Sequence, residues 1–190
     1  MLDQLRLVKP GLDRSAWALR VISDYLALTK PPIVSLLLIT ALGGMFLAAN
    51  GKPSLSIVLL VCAGGALGAG GANALNHYLD RDIDGLMSRT SQRPVPGQRI
   101  SPNKALGFGI LLNLVSFLVL ATWVNLLAAG LTMAATLFYV FVYTSWLKRS
   151  TPQNIVIGGA AGAIPPMVGW AAITGGLDLP ALYLFAVVFF

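Results

Sequence analysis

The sequence predicts an all-α protein, a polytopic bundle of transmembrane helices with five full spans and a truncated sixth. The first observation is composition: of 190 residues, 56% are hydrophobic and only 11% are charged. The mean hydropathy of +0.77 lies above the range of water-soluble domains. The second observation is that uncharged runs follow one another, each long enough to cross a hydrocarbon core, which takes about 20 helical residues.

The spans are ordered along residues 31–190, interpreted as one membrane domain behind a cytoplasmic N-terminal arm of residues 1–30. The uncharged run over residues 105–147 would form about 64 Å of helix, about twice the core thickness, so it must fold back near residues 123–125. Glycines and alanines four residues apart in the second span are typical of helices that pack closely in lipid. The Pro165–Pro166 pair is expected to kink or break the fifth span. The predicted spans are residues 33–49, 54–77, 105–122, 126–146, 154–172 and 180–190.

The sixth predicted span is short. Only ten apolar residues follow Pro180, whereas a crossing helix needs about twenty. We therefore expect the chain to be the N-terminal part of a longer protein. We also expect residues 1–190 alone to bind little substrate and to lack measurable activity.

Basic residues are distributed unevenly between the two ends of the predicted spans. Of thirteen lysines and arginines, only Lys52 lies on the side opposite the other twelve. Because cytoplasmic loops carry the excess of positive charge, this distribution predicts a cytoplasmic N-terminus. The predicted location is the inner (cytoplasmic) membrane, with the mitochondrial inner membrane as the alternative. The net charge of +6 resides in short loops rather than in a soluble basic domain, so no nucleic-acid partner is expected.

The segment from Asn76 to Asp84 holds the densest charge in the chain. In a continuous helix, Asn76, Asp80 and Asp84 fall within an arc of about 80°, whereas Asp82 points about 200° away from Asp80. Like charges one turn apart are unfavourable near lipid unless a cation neutralises them. Oxygen ligands of this kind suit Mg²⁺, which takes one or two carboxylates together with substrate phosphates. The alternative is a solvated helix end, whose aspartates are neutralised by Arg81 and the later arginines.

Further basic residues are predicted at the same membrane face and could complete a diphosphate site. Mg²⁺ on Asp80 and Asp84 would bridge the phosphate oxygens, and cationic side chains would neutralise the remaining charge. The candidates are Arg89, Arg93, Lys148 and Arg149. Stabilising a leaving diphosphate is a form of electrostatic catalysis, and the spans would supply an apolar groove for an isoprenoid tail. For Arg99 and Lys104 we favour a role as topology determinants beside anionic headgroups.

Three stretches of the chain resemble one family. The aspartate motif in NHYLDRDIDGLMSRTSQRPVPGQRIS, residues 76–101, is similar to the first aspartate motif of the UbiA-type intramembrane prenyltransferases. Within that superfamily, the longer string resembles the protoheme IX farnesyltransferase family, the heme O synthases. TKPPIVSLLLIT, residues 29–40, and residues 143–175 resemble other helices of the same family. The resemblance covers nearly all of residues 29–190.

The resemblance implies transfer of a farnesyl group from farnesyl diphosphate to a vinyl group of heme B, giving heme O, with Mg²⁺ as cofactor. It implies that Asn76, Asp80 and Asp84 form the catalytic motif, that Asp80 and Asp84 bind the metal, and that the Lys148–Arg149 pair faces the diphosphate. Heme B, farnesyl diphosphate and the bilayer are the implied partners, together with heme-handling or oxidase-assembly proteins. His77 departs from the wider superfamily, where Asp commonly follows the Asn, and this departure argues against the quinone-type branch.

Three other functions stay open. Prenyl transfer to another acceptor fits the same motif. A transporter or ion relay would need carboxylates near the middle of the membrane, yet Asp80 and Asp84 lie at a span's end and spans three to five contain no Asp, Glu, Lys or Arg. A non-catalytic assembly factor with the enzyme's fold is the third.

Overall fold

The structure is a computed structural model that describes residues 14–190, with side chains from residue 16 onward. The first thirteen residues of the predicted N-terminal arm lie outside the described residues. From residue 14 onward the chain is built from helices without a strand. They are α1 Arg14–Thr29, α2 Pro31–Ala48, α3 Leu55–Leu79, α4 Arg81–Leu86, α5 Pro102–Trp123, α6 Leu126–Leu137, a π-helix Phe138–Leu147, α7 Lys148–Ser150, α8 Asn154–Ala163, α9 Pro165–Thr174 and α10 Leu179–Phe189.

Five helical stretches are long and apolar enough to cross a membrane, as the sequence predicted. They are Pro31–Ala48, Leu55–Leu79, Pro102–Trp123, Leu126–Ser150 and Asn154–Thr174. The apolar helix α10, eleven residues long, lies where the sixth span was predicted. The all-α polytopic fold class is therefore confirmed. The cytoplasmic side of the N-terminus and the division into an arm and a membrane domain stay predictions.

Two breaks between helices occur where local sequence signals place them. The long uncharged run folds back at Val124, and the side chain of Asn125 caps α6 by accepting a hydrogen bond from the Ala128 N–H at 2.8 Å. The fifth span breaks between α8 and α9 at Ile164, directly before the prolyl pair. Neither break needs a tertiary contact to explain it.

Close helix packing depends on glycines that face a neighbouring backbone. A Cβ atom on Gly44 of α2 would lie 2.1 Å from the Pro166 carbonyl oxygen of α9. A Cβ atom on Gly169 of α9 would lie 2.0 Å from the Ala41 carbonyl oxygen of α2. The α3–α5 pair has the same character, since a Cβ on Gly71 would lie 2.8 Å from the Gly109 carbonyl oxygen. Because lipid supplies little hydrophobic drive for helix association, such backbone approach is a main source of stability.

The fourth span changes from an α-helix to a π-helix over its last ten residues, Phe138–Leu147, a change that hydropathy did not predict. Two hydroxyls in it donate hydrogen bonds five residues back, from Thr144 to the Tyr139 carbonyl and from Ser145 to the Val140 carbonyl, each at 2.9 Å. Such segments often occur at functional sites. This one leads directly into Lys148.

Gly44 and its neighbour Gly43 test the packing of α2 on α9. We expect Gly44→Ala to lower the free energy of unfolding by about 1–3 kcal/mol, because its Cβ overlaps the backbone of α9. Gly43→Ala is the matched control, since its Cβ meets no atom within 4 Å, and it should be neutral or stabilising by up to ~1 kcal/mol. Thermal unfolding of the purified protein in detergent measures both. Equal midpoints for the two variants would contradict the close backbone contact of α2 with α9.

Candidate active site

Polar side chains gather at one end of the bundle, where the N-terminus of α2, the C-terminus of α3 and the end of the π-helix meet. Hydrogen bonds join Lys30 to Asn76, Asn76 to Thr144, and Lys148 to Asp80. The loop between α4 and α5 adds Arg93 beside the same cluster. Residues distant in sequence are thereby brought around the aspartate segment.

The aspartate segment keeps its helical face although one helix ends and the next begins at Asp80. Helix α3 ends at Leu79 and α4 begins at Arg81, but two backbone bonds cross the junction. They run from Asp80 N to Asn76 O at 2.9 Å and from Asp84 N to Asp80 O at 2.8 Å. Accordingly Asn76, Asp80 and Asp84 are 3%, 0% and 3% exposed. The side chain of Asp82 is 58% exposed, so the spacing of the three buried residues predicted their common face.

The Asp80 carboxylate uses only one of its two oxygens. Its Oδ2 accepts hydrogen bonds from Asn76 Nδ2 at 2.7 Å and from Lys148 Nζ at 2.5 Å. Its Oδ1 is buried and has no hydrogen-bond partner in the described part of the chain. A buried acceptor without a donor is unfavourable by about 1–3 kcal/mol, more when charged. A cation at Oδ1 would satisfy it.

Asn76 connects the Asp80 carboxylate to two other elements. Its Oδ1 accepts a hydrogen bond from Lys30 Nζ at 2.9 Å, and its Nδ2 donates to Asp80 and, at 3.2 Å, to Thr144 Oγ1. The sequence predicted only a topology role for Lys30 and no role in the site for Thr144. A usable signal existed for each: Lys30 directly precedes the proline pair that opens the first span, and Thr144 lies four residues before Lys148.

Lys30 is held in an unusual environment. Its backbone adopts a left-handed conformation with φ of 53°, at the junction of α1 and α2. Burial, and secondly the positive charge of Arg93, lowers the pKa of Lys30 to about 8, although Asp80 and Asp84 oppose that shift. The side chain is therefore a cation at neutral pH that loses its proton in mildly alkaline solution.

Asp84 forms an ion pair with Arg93, which the sequence predicted to bind the diphosphate. The Arg93 Nη1 atom lies 2.6 Å from Asp84 Oδ2. The buried Thr90 hydroxyl donates to the Asp84 backbone carbonyl at 2.8 Å, which ties the α4–α5 loop to the aspartate segment. Arg93 thus reaches the site because Thr90 anchors the loop that carries it.

The other three basic residues predicted to bind the diphosphate have different surroundings in the structure. Lys148 contacts Asp80 directly. Arg149 instead binds both oxygens of the exposed Asp82 at 2.8 Å and the Leu79 carbonyl at 2.9 Å. The hydrogen bond from Arg149 is the main cause that lowers the pKa of Asp82 to about 2. Arg89 is exposed, and the described residues give its side chain no hydrogen bond or ion pair. The diphosphate-binding roles of all four residues stay predictions.

The donor set fits a hard cation that shares its ligands with a phosphate. Within residues 14–190, no cluster of three His, Cys, Asp or Glu side chains could hold a metal alone. The fit to Mg²⁺ therefore rests on carboxylate oxygens, above all the unpartnered Asp80 Oδ1. His77 is buried beside this set with no hydrogen-bond partner for either ring nitrogen among the described residues.

An apolar cavity of about 340 Å³ lies alongside the polar cluster. Its wall comes from α2, α3, the fourth span and the two halves of the fifth. Asn73, one turn before Asn76, lines it, as do Tyr139 and Tyr143 next to Thr144. The two tyrosine rings stack with centroids 5.3 Å apart. A cationic cluster next to an apolar cavity suits an amphiphilic ligand with an anionic head group and an apolar tail.

Comparison with known proteins agrees with this chemistry. Residues 37–190 match the UbiA prenyltransferase family. A protoheme IX farnesyltransferase from Symbiobacterium thermophilum is 58% identical over 90% of this chain and 57% of its own length. A protoheme IX farnesyltransferase 1 from Saccharopolyspora erythraea is 57% identical over 89% of this chain and 54% of its own length. The chain spans a little over half the length of these relatives.

Two solved structures share the fold. One, of digeranylgeranylglyceryl phosphate synthase, superposes with a TM-score of 0.76 at 21% identity, over 88% of this chain and 58% of that one. The other, a UbiA homolog from Archaeoglobus fulgidus bound to GPP and Mg²⁺, gives 0.64 at 22% identity, over 87% and 58%. Together with the family match, these findings confirm the resemblance that the aspartate motif indicated. The chain belongs to the UbiA prenyltransferase family.

Proposed function

We propose that the protein transfers a farnesyl group from farnesyl diphosphate to a vinyl group of heme B. Diphosphate leaves, and water adds to the vinyl carbon that becomes cationic, which gives the hydroxyethylfarnesyl side chain of heme O. The observation that carries the proposal is the buried Asp80 carboxylate, one oxygen of which has no partner in the described part of the chain. It lies about two helical turns along the chain from Asn73, which lines the apolar cavity. The sequence similarity to relatives named protoheme IX farnesyltransferase supports heme B as the acceptor and farnesyl diphosphate as the donor.

The balance of charge around the aspartates favours a metal–diphosphate complex over a metal ion alone. Three cations contact the aspartate segment. Lys30 contacts Asn76, Arg93 contacts Asp84, and Lys148 contacts Asp80. A site built for a bare divalent cation would not place three positive charges beside its carboxylates, because like charges repel. An anionic diphosphate reverses that penalty, since each cation then has an oxygen to bind.

The residues divide the work on the donor substrate. Asp80 and Asp84 would hold Mg²⁺ through carboxylate oxygens, and Asn76 would keep Asp80 in place. Mg²⁺, when bound, would neutralise the diphosphate and so help it leave. Lys30, Lys148 and Arg93 would bind the phosphate oxygens and stabilise the charge that develops on the leaving group. Arg149 pairs with the exposed Asp82 rather than with the buried aspartates, so we assign it no step on the donor substrate in this pairing.

The apolar cavity would bind the farnesyl tail. Its lining is mainly apolar, with Asn73, Thr132 and Thr136 as the polar exceptions. Excluding water there would keep water from capturing the allylic cation before the vinyl group does. The faces of Tyr139 and Tyr143 would stabilise that cation, because an aromatic ring carries negative charge on its face. The vinyl group of heme B would approach from the same end. We place this reaction in the inner (cytoplasmic) membrane, with the charged end facing the cytoplasm.

The aspartates test the function directly. In a protein expressed to the natural stop of its gene and supplied with heme B, farnesyl diphosphate and Mg²⁺, we expect Asp80→Asn and Asp84→Asn each to lower heme O formation by about 10²–10³-fold. Mass spectrometry of the extracted heme measures the product. The reason is loss of the negative charge that binds the metal.

Asp82→Asn is the matched control for this experiment. It lies in the same segment and has the same chemistry, but its side chain is 58% exposed and bound to Arg149. We expect its heme O yield to stay within about threefold of wild type, since surface ion pairs contribute little. Unchanged heme O yield in both Asp80→Asn and Asp84→Asn would remove the assignment of these residues to the metal.

The lowered pKa of Lys30 predicts that activity falls on the alkaline side of the pH profile of kcat/KM. Because the pKa of Lys30 is lowered to about 8, its charge is present below that pH and lost above it. The value of kcat/KM, which reports the free enzyme, should therefore fall as pH rises through about 8. In Lys30→Arg the positive charge persists, so the limb should move to higher pH. Lys104→Arg, at an exposed lysine of α5, is the control and should leave the limb in place; the same limb in Lys30→Arg would refute its origin in Lys30.

A substitution at Gly162 tests whether the farnesyl tail binds in the apolar cavity. It lines the cavity, and a Cβ there meets no atom within 4 Å, so a larger side chain would project into free space. We expect Gly162→Leu to lower the ratio of kcat/KM for farnesyl over geranyl diphosphate about tenfold or more, because less room remains for the longer tail. Gly107→Leu, on α5 outside the cavity and equally unobstructed, should not change the ratio. An unchanged ratio in Gly162→Leu would place the tail elsewhere.

A further inference from the structure

Thr144 is the residue of the π-helix that touches the aspartate segment through a hydroxyl group. It is 0% exposed. Its Oγ1 donates to the Tyr139 carbonyl at 2.9 Å and accepts from Asn76 Nδ2 at 3.2 Å. Since the hydroxyl hydrogen is used by the backbone of its own helix, the oxygen can present only lone pairs to Asn76.

Thr144 is one of three groups that set the orientation of the Asn76 amide, and it is the acceptor for the amide hydrogen that Asp80 does not take. Both Nδ2 hydrogens have acceptors, on Thr144 and Asp80, while Oδ1 faces the Lys30 ammonium. A half-turn of the amide would set Oδ1 against the Asp80 carboxylate and the NH₂ group against a cation. All three contacts would then be mismatched.

The orientation of Asn76 in turn decides which Asp80 oxygen is free. Asn76 and Lys148 both donate to Oδ2, and Oδ1 remains without a donor. If Asn76 could rotate, its NH₂ group would no longer be held on Oδ2. The free oxygen would lose its fixed direction.

We propose that Thr144 is a positioning residue. Its π-helical hydroxyl holds the Asn76 amide, and through it the Asp80 carboxylate, in the orientation that leaves Oδ1 free for a metal-bound diphosphate. The inference rests on the proposed function, because it assigns Asp80 to that complex. It adds a residue that contacts neither the metal nor the substrate.

The test measures ligand binding in the absence of turnover. Mn²⁺ with inorganic pyrophosphate is titrated into the purified protein, expressed to the natural stop of its gene, and bound Mn²⁺ is followed by electron paramagnetic resonance. We expect Thr144→Val, which keeps the shape but removes the hydroxyl, to weaken binding about tenfold, because one Asn76 N–H is left without an acceptor. Thr144→Ser, which restores the hydroxyl, should bind within about twofold of wild type.

Ser145→Ala is the matched control. Ser145 makes the same hydrogen bond five residues back, to the Val140 carbonyl at 2.9 Å, but it does not contact Asn76. Removing its hydroxyl should leave Mn²⁺–pyrophosphate binding unchanged. If Ser145→Ala weakens binding as much as Thr144→Val, the effect belongs to the stability of the π-helix and the proposal is overturned.

A double-mutant cycle separates positioning from general stability. In an Asn76→Ala background, Thr144→Val should have no further effect on binding, since there is no amide left to orient. An equal loss in both backgrounds would overturn the proposal.

If Thr144→Val does not fold, as judged by size-exclusion chromatography, Thr144→Ala carries the same expectation. Failure of the wild-type protein to bind Mn²⁺–pyrophosphate would refute the proposed site, whereas binding by wild type and equal binding by Thr144→Val would refute only the role of Thr144.

Discussion

The burial of the Asp80 carboxylate is the constraint on which the architecture of the charged end depends. Removing an ion from water carries an effective penalty of several kcal/mol, which must be offset by hydrogen bonds and opposite charge. Asp80 receives them from two directions, from Asn76 on its own helix and from Lys148 at the end of the fourth span. Asn76 is itself held by Lys30 at the start of the first span. Hydrogen bonds centred on Asn76 and Asp80 therefore link three spans, and the Asp80 oxygen left without a partner is where the proposed chemistry begins.

Helix packing makes that arrangement possible. The cations can reach Asp80 only if the spans that carry them approach closely, and in lipid this approach depends on small residues and backbone contact. On α3, a Cβ atom at Gly68 would lie 2.8 Å from the Thr132 side chain of the fourth span, and a Cβ atom at Gly70 would lie 3.1 Å from Thr29, the residue before Lys30. An apolar cavity lies between α2, α3, the fourth span and the fifth span. The same bundle thus supplies both a rigid charged end and a pocket for an apolar chain.

The charged end shows how far sequence spacing can take the prediction of a site. The four-residue spacing of Asn76, Asp80 and Asp84 predicted their common buried face, and local hydrogen bonds preserve it across the change of helix at Asp80. The basic residues could be assigned to a membrane face but not to a partner. Arg149 binds Asp82 rather than the buried stripe, while Lys30, counted only as a topology signal, contacts Asn76.

The sequence by itself determined the five spans, the turn at Val124, the break before Pro165 and the buried aspartate face, because hydropathy, capping and helical period are properties of neighbouring residues. The aspartate motif of residues 76–84 also indicated the UbiA prenyltransferase family. Only the tertiary structure decided which cation contacts which side chain of the aspartate segment, since the contacts of Lys30 with Asn76 and of Lys148 with Asp80 join residues 46 and 68 positions apart in the chain. It alone revealed the π-helix that turns Thr144 toward Asn76, because a change of helical register inside an apolar span leaves the hydropathy pattern unaltered.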